Sequence, residues 1–364
     1  GTDITFGDPG LDQLGARFTD TATYPNLATS ESSPVNLLVG SSAGYAVLVQ
    51  GRLQNEDGLE SHNKTANRIY ETLKDRGFAD SDIYYYNYDV NQTGVDGLPD
   101  KAAIQAAIEG LASEVNERPA PVYTLWVDHG GKETDTQSAR FFMDDGVAGP
   151  AEDDYITPTE INTWLDNLET NMDGFDAGLK DDNPRIFIMG SCYSGGFIQD
   201  VSQTGRVVIT SATEDEQSYK GPLEDDNIRA GEYFLEELFL ELGNGNNLRD
   251  AFKVATDKTE TYTKESSGDI STNADNEFLD TAVQHPLLDD DGDGAGTNTI
   301  FDNTPDGNQI AINVILGFDQ EALTNDAFNP AAVISVSGTQ YLPDADNDAD
   351  LELFANDPFQ VNQA

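Results

Sequence analysis

The chain has a single cysteine among its 364 residues, which excludes an intrachain disulfide and with it any disulfide-stapled scaffold. It has only three histidines, so few side chains can serve as a near-neutral base. No apolar run reaches the roughly 18 residues that would read as a transmembrane helix. Basic residues are scarce: 19 Lys and Arg stand against 67 Asp and Glu, a formal charge of −48. A surface so acidic repels phosphate backbones and excludes nucleic acid as a partner. A solvated acidic exterior accounts for most of this charge, leaving Asp clusters within turns to be explained separately.

What is present supports a sizeable core. Residues 1–44, rich in Thr, Ser, Asn, Gly and Pro, read as an N-terminal extension with a short strand at Val35–Val39. A regular α/β rhythm follows from residue 45 to about 320. Tyr45–Gln50 is a continuous apolar run of the kind buried on both faces of a sheet. Ala66, Ile69, Tyr70 and Leu73 fall on one helical face, and that helix ends near Gly77. Ile83–Tyr88 reads as a second strand. Ile104, Ala107, Ile108, Leu111 and Val115 mark another helix, and Val122–Val127 a third strand.

Thr157-Pro158-Thr159-Glu160 is a capping box with proline at the first helical position, opening a helix with Ile161, Trp164, Leu165 and Leu168 inward. Arg185–Met189 and Val207–Thr210 read as the fourth and fifth strands, and Ile310–Leu316 as a sixth. Helices fit Tyr233–Leu242 and Leu248–Thr256, the latter capped by Asn247. Such alternation predicts an α/β fold: a three-layer αβα sandwich around a mainly parallel six-stranded sheet. Residues 321–364 form a β-rich C-terminal segment, with Val333–Ser337 and Leu351–Phe354 read as the first strands of a β-sandwich module.

In parallel sheets, functional residues gather on loops at the carboxyl ends of strands. His129 follows the third strand and Cys192 the fourth. A thiol becomes a useful nucleophile beside a base, and the two need proximity in space rather than in sequence. Gly130 and Gly131 follow the histidine, while Ser191, Ser194, Gly195 and Gly196 surround the cysteine. Small residues there admit a substrate backbone and free N–H groups toward an oxyanion. The amides of Gly130 and Cys192 are the expected donors. A lone cysteine is ordinarily a small buried hydrophobe, and its place in a Gly/Ser-rich loop is what argues otherwise here.

These motifs, Asp128-His129-Gly130 after one strand and Gly190-Ser191-Cys192-Tyr193-Ser194-Gly195 after the next, resemble the caspase–hemoglobinase fold. The likeness is nearest to bacterial relatives of the legumain (asparaginyl endopeptidase) family and spans roughly residues 45–260. It implies a cysteine endopeptidase with Cys192 and His129 as catalytic dyad and Gly130 as oxyanion donor. It further implies an acyl-enzyme that water hydrolyses or an amine intercepts in transpeptidation. Two positions depart from the pattern. Where the family has an Arg-His pair near the start of its first helix, this chain has Ser61-His62. Where it has an acid two residues before the cysteine, this chain has Gly190. His62 and Ser211 remain as substrate-binding candidates, and the preferred residue stays open. The rival expectation is an inactive calcium-dependent extracellular binding module on a peptidase-like fold.

Asp289-Asp290-Asp291-Gly292-Asp293-Gly294 places oxygen ligands at alternate positions with a glycine for the sharp turn, as in the first half of a Ca²⁺ loop. Asp289, Asp291 and Asp293 are the expected ligands of a structural Ca²⁺; the chemistry itself needs no cofactor. The run Asp344–Asp350 has similar spacing without the glycine, and Asp144-Asp145-Gly146 reads as a simple turn. Hard-cation sites suit a secreted or periplasmic protein acting on peptide or protein substrates.

Overall fold

The computed structural model describes residues 42–53, 58–134, 136–143, 154–175, 180, 183–265 and 282–317. It also describes the strand backbone within 2–3, 10–19, 30–31, 35–39, 335–336 and 350–355. Contacts divide the chain into two compact units. One comprises Gly1–Ser41, Glu117–Pro119 and Glu321–Ala364; the other comprises Ser42–Asn116 and Ala120–Gln320.

The larger unit is built on seven strands: β1 (Tyr45–Gln50), β2 (Ile83–Tyr86), β3 (Val95–Gly97), β4 (Val122–Val127), β8 (Arg185–Gly190), β9 (Arg206–Thr210) and β10 (Leu287–Asp289). Their order is β10-β9-β8-β4-β1-β2-β3, with only the edge strand β10 antiparallel. The helices are α1 (Leu59–Asp75), α2 (Lys101–Glu117), α3 (Pro158–Phe175), α5 (Tyr233–Gly243) and α6 (Leu248–Glu265), with a one-turn α4 (Ile198–Val201). A small antiparallel sheet of β5 (Gly130–Lys132), β6 (Ala139–Phe142) and β7 (Tyr155–Ile156) leads away from the end of β4.

Alternating side chains of the central strands feed two cores. Leu48, Leu125, Ile186 and Ile209 pack with Ile69 of α1, Leu238 of α5 and Phe252 of α6. Val47, Trp126, Phe187 and Val208 pack with Ile108 of α2 and Leu165 of α3. Helices therefore cover both faces, the three-layer α/β sandwich that buried apolar strands demand. The capping box forms as spelled: Thr157 N donates to Glu160 Oε2 at 2.9 Å, and Glu160 N donates to Thr157 Oγ1 at 3.3 Å. Asn247 Oδ1 accepts from Asp250 N at 2.9 Å, capping α6.

Some expectations change. The sheet has seven strands, not six, and Ile310–Leu316 is not among them: Ala311–Asn313 is a 3₁₀ turn, and Ile315 makes an isolated bridge to Asn247. An apolar run of that length cannot be told from a buried turn by periodicity alone. Both true edge strands are only three residues long, below what a sequence pattern resolves. Helix α6 runs nine residues past Thr256, to Glu265.

In the smaller unit, Gly10–Thr19 pairs antiparallel with Asp350–Ala355 on one side and with Val35–Val39 on the other, while Thr2–Asp3 pairs with Ser335–Val336. Strands from the two ends of the chain thus pair with one another. Asp144-Asp145-Gly146 and, of the run Asp344–Asp350, residues 344–349 lie outside the described residues.

Candidate active site

Strands β4 and β8 are parallel neighbours, with Val127 paired to Gly190 at their carboxyl ends. Two residues beyond that pair stand His129 on one strand's exit and Cys192 on the other's. Asp128 N donates to Gly190 O at 3.2 Å, carrying the ladder one step further. Gly130 then approaches so closely that a β-carbon on it would lie 2.1 Å from Cys192 O and 2.7 Å from Ser191 Oγ. Only glycine permits this contact between the two loops. His129 O accepts from Phe142 N at 3.0 Å, which fixes the turn into β5.

The cysteine loop is held from behind. Ser191 N donates to Ser211 Oγ at 3.1 Å, and Ser211 Oγ donates to Ser191 O at 3.3 Å. Tyr193, directly after the nucleophile candidate, adopts φ 61°, ψ 18°, a left-handed conformation that turns the chain sharply into the Ser194–Phe197 3₁₀ turn. Its amide donates to Glu216 O at 2.7 Å. Glu216 in turn accepts from His285, at 2.9 Å from the backbone amide, with its other oxygen 2.6 Å from Nδ1. Cys192 is half-buried, with Sγ 3.8 Å from Ser218 O and 3.9 Å from Ser218 Oγ. Burial pushes the thiol's pKa up, and the carboxyl of Glu232 adds to the rise.

The histidine is less alone than its motif suggests. Asp128, 2% exposed, accepts from His129 N through Oδ1 at 2.7 Å. Its other oxygen lies 3.1 Å from His62 Nδ1. The rings of His62 and His129 meet edge to face with centroids 4.9 Å apart. His62 itself is 4% exposed, in the first turn of α1. Donor atoms of His62, Asp128 and His129 all lie within 4.8 Å of one another, a set able to hold a transition metal ion.

Of the two substrate-binding candidates, His62 thus stands beside His129. Ser211 is fully buried, and its hydroxyl bonds the Ser191 backbone and the Glu232 carboxyl. Three residues were missed by sequence reasoning. Asp128 was legible as part of the Asp-His-Gly motif. Glu216 and Glu232 carried no local signal, because only folding brings them under the cysteine loop. A β-carbon on Gly190 would meet Leu235 Cδ1 at 2.3 Å and Glu232 Cγ at 3.0 Å, so a leucine and then an acid fill the space beside this position. Glu232 is buried, accepts from Leu235 N at 2.6 Å and from Gln284 Nε2 at 3.1 Å, and is pushed up to about 7, chiefly by burial.

A family model described as the peptidase C13 family matches residues 98–279, half of the chain and inclusive of both His129 and Cys192. The chain belongs to the peptidase C13 family. Among solved structures it is similar to caspase-1 from Spodoptera frugiperda, at 13% identity and a TM-score of 0.44, covering 69% of this chain and 88% of that one. No curated protein matches. Peptidase C13, the legumain family, is one of cysteine peptidases on a caspase-like α/β fold, as the motifs implied. His62 lies before the matched segment.

The acidic turn after β10 gathers differently from its spelling. Carboxylate oxygens of Asp289, Asp291 and Asp306 lie within 4.8 Å of one another. Asp293 is exposed and not among them, since its Oδ1 turns back to accept Ala295 N at 2.8 Å. Asp306, contributed by a different loop, takes the third place. Its pKa is pushed up to about 7, first by burial and then by the neighbouring Asp carboxylates.

Proposed function

We propose that this peptidase C13 member is an active cysteine endopeptidase, acting through Cys192 and His129. Cys192 Sγ attacks the scissile carbonyl as its proton passes to His129, giving a tetrahedral adduct that becomes a thioester when the C–N bond breaks. The raised thiol pKa means that the resting cysteine is protonated near neutrality, so a base must act at the moment of attack. The amides of Gly130 and Cys192 take the developing oxyanion. His129 then gives its proton to the leaving amine. Water releases the acyl group, or an incoming amine captures it and a new peptide bond forms. Asp128 and His62, both buried against it, orient His129.

The observation that supports this reading most is the matched register: candidate nucleophile and candidate base each stand two residues beyond the same β4–β8 pair, with Gly130 pressed against Cys192. Residence in a secreted or periplasmic compartment belongs to the same proposal, supported by the acidic surface and the Asp-rich turn.

The test is a positional-scanning peptide library with wild-type protein, Cys192→Ala and His129→Ala. Each variant is expected to lose at least about 10³-fold in kcat/KM while keeping the wild-type melting temperature. Equal cleavage by wild-type and Cys192→Ala refutes the nucleophile assignment. Absence of cleavage by any of the three leaves a peptidase-like binding module.

A further inference from the structure

We propose that Asp289, Asp291 and Asp306 bind one Ca²⁺, tying the end of the edge strand β10 to the loop that precedes the Ala311–Asn313 turn. The three donor atoms fall within 4.8 Å of one another, twice the roughly 2.4 Å of a Ca–O bond. Three carboxylates held this close repel one another, and a cation between them removes that repulsion.

A second, independent feature points to the same ligand. Asp306 is 6% exposed, and its Oδ1 is buried without a hydrogen-bond partner. Folding rarely leaves a carboxylate oxygen out of water with nothing to bond, because its desolvation goes uncompensated. A cation at the convergence point supplies the missing partner.

The scaffold is rigid on both sides of that point. Asp290 accepts from Gly307 N at 2.6 Å through Oδ1, and its Oδ2 accepts from Gln309, Ile310 and Ala311 at 3.2, 2.7 and 2.8 Å. These four amides pin the loop bearing Asp306 against β10. On the other side, Gly292 N and Gly294 N donate to the two oxygens of Asp289 at 3.1 and 2.9 Å, with both glycines at positive φ. The sequence spacing alone nominates Asp293 as the third ligand; the fold substitutes Asp306, thirteen positions further on. All-oxygen, carboxylate-rich coordination selects a hard cation. The flexible geometry of Ca²⁺ suits such a set better than Mg²⁺, which demands a tight octahedron and keeps its waters.

The experiment uses the full chain after dialysis against chelator, titrated with CaCl₂ or MgCl₂ in buffer with enough NaCl to screen non-specific counterion binding to a −48 surface. Calorimetry and thermal unfolding are read on wild type, Asp306→Asn and Asp302→Asn, the last an exposed acid nearby. Wild type and Asp302→Asn are expected to bind one equivalent of Ca²⁺ and gain about 5 °C in Tm at a hundredfold excess over Kd. Asp306→Asn is expected to lose at least tenfold in affinity and most of that gain. In chelator it melts no lower than wild type, because one repelling charge is gone, which separates loss of a ligand from loss of the fold. An equal calcium response in wild type and Asp306→Asn overturns the site, and an equal response to MgCl₂ and CaCl₂ overturns its assignment to calcium.

Discussion

Glu232 offers a sharp test of how the ground beneath the cysteine is built. This carboxyl is 1% exposed and is displaced from 4.5 to about 7, mainly because burial disfavours its charged form. Below pH 4.5 it is protonated in folded and unfolded chains alike and has no effect on the pH dependence. Between pH 4.5 and about 7 the unfolded chain releases the proton while the folded chain retains it. Stability is therefore lost as pH rises through that window and levels off above it. The displacement corresponds to roughly 3 kcal/mol, a large share of the usual 5–15 kcal/mol of a folded domain.

Glu232→Gln removes the titration but keeps an oxygen to cap α5 at Leu235 N. The substituted amide faces the Gln284 amide, which costs about 1 kcal/mol at every pH. Because 67 acidic residues titrate alongside, the informative quantity is the difference between variant and wild type in urea unfolding from pH 4.5 to 8. That difference is expected to shift by roughly 3 kcal/mol in favour of the variant by pH 7. Parallel curves would refute the reasoning. The same substitution removes a negative charge that raises the Cys192 thiol, so alkylation of Cys192 by iodoacetamide at fixed pH should quicken.

Gly130→Ala is expected to reduce peptide hydrolysis on the order of 100-fold, since its β-carbon would meet Cys192 O at 2.1 Å and separate the two loops; steady-state kinetics beside a thermal melt would check this. At the far end of the sheet Glu169 Oε1 accepts from Arg185 Nε at 2.8 Å and Arg206 Nε at 2.7 Å, and both arginines are almost fully buried. Glu169→Ala leaves Arg206 only the half-exposed Asp166 as a charged partner and Arg185 bonded to backbone carbonyls such as Asn183 O, and is expected to cost about 3 kcal/mol in urea unfolding, with no change in substrate preference. If calcium occupies the site after β10, chelation should slow wild-type hydrolysis several-fold and leave Asp306→Asn indifferent. The strand continues directly from Gln284 and His285, which hold Tyr219, Glu232 and Glu216 beneath the cysteine loop.

The central strands and their helices were legible because the signals are local and strong: Tyr45–Gln50 and Val122–Val127 are uninterrupted apolar runs, and the Thr157–Glu160 box states where a helix starts. The edges were not, because β3 and β10 are three residues long and owe their conformation to the neighbour that pairs with them. Ile310–Leu316 misled for the converse reason: Ala311, Val314 and Leu316 are buried by tertiary packing, while Asp290 takes the amides of Ile310 and Ala311 into a turn.

What the sequence determined by itself was the identity of the chemical groups and their place at strand ends: a thiol after one parallel strand, an imidazole after another, glycine beside each. Those follow from chain connectivity and from the period of hydrophobic residues, both local properties. The tertiary structure alone decided which distant groups surround them. Asp128 stands beside two imidazoles, Leu235 and Glu232 occupy the space next to Gly190, and Asp306 rather than Asp293 completes the acidic cluster. Such neighbours come from loops far apart in the chain, and their meeting depends on the register of the sheet and the backbone bonds that pin each loop.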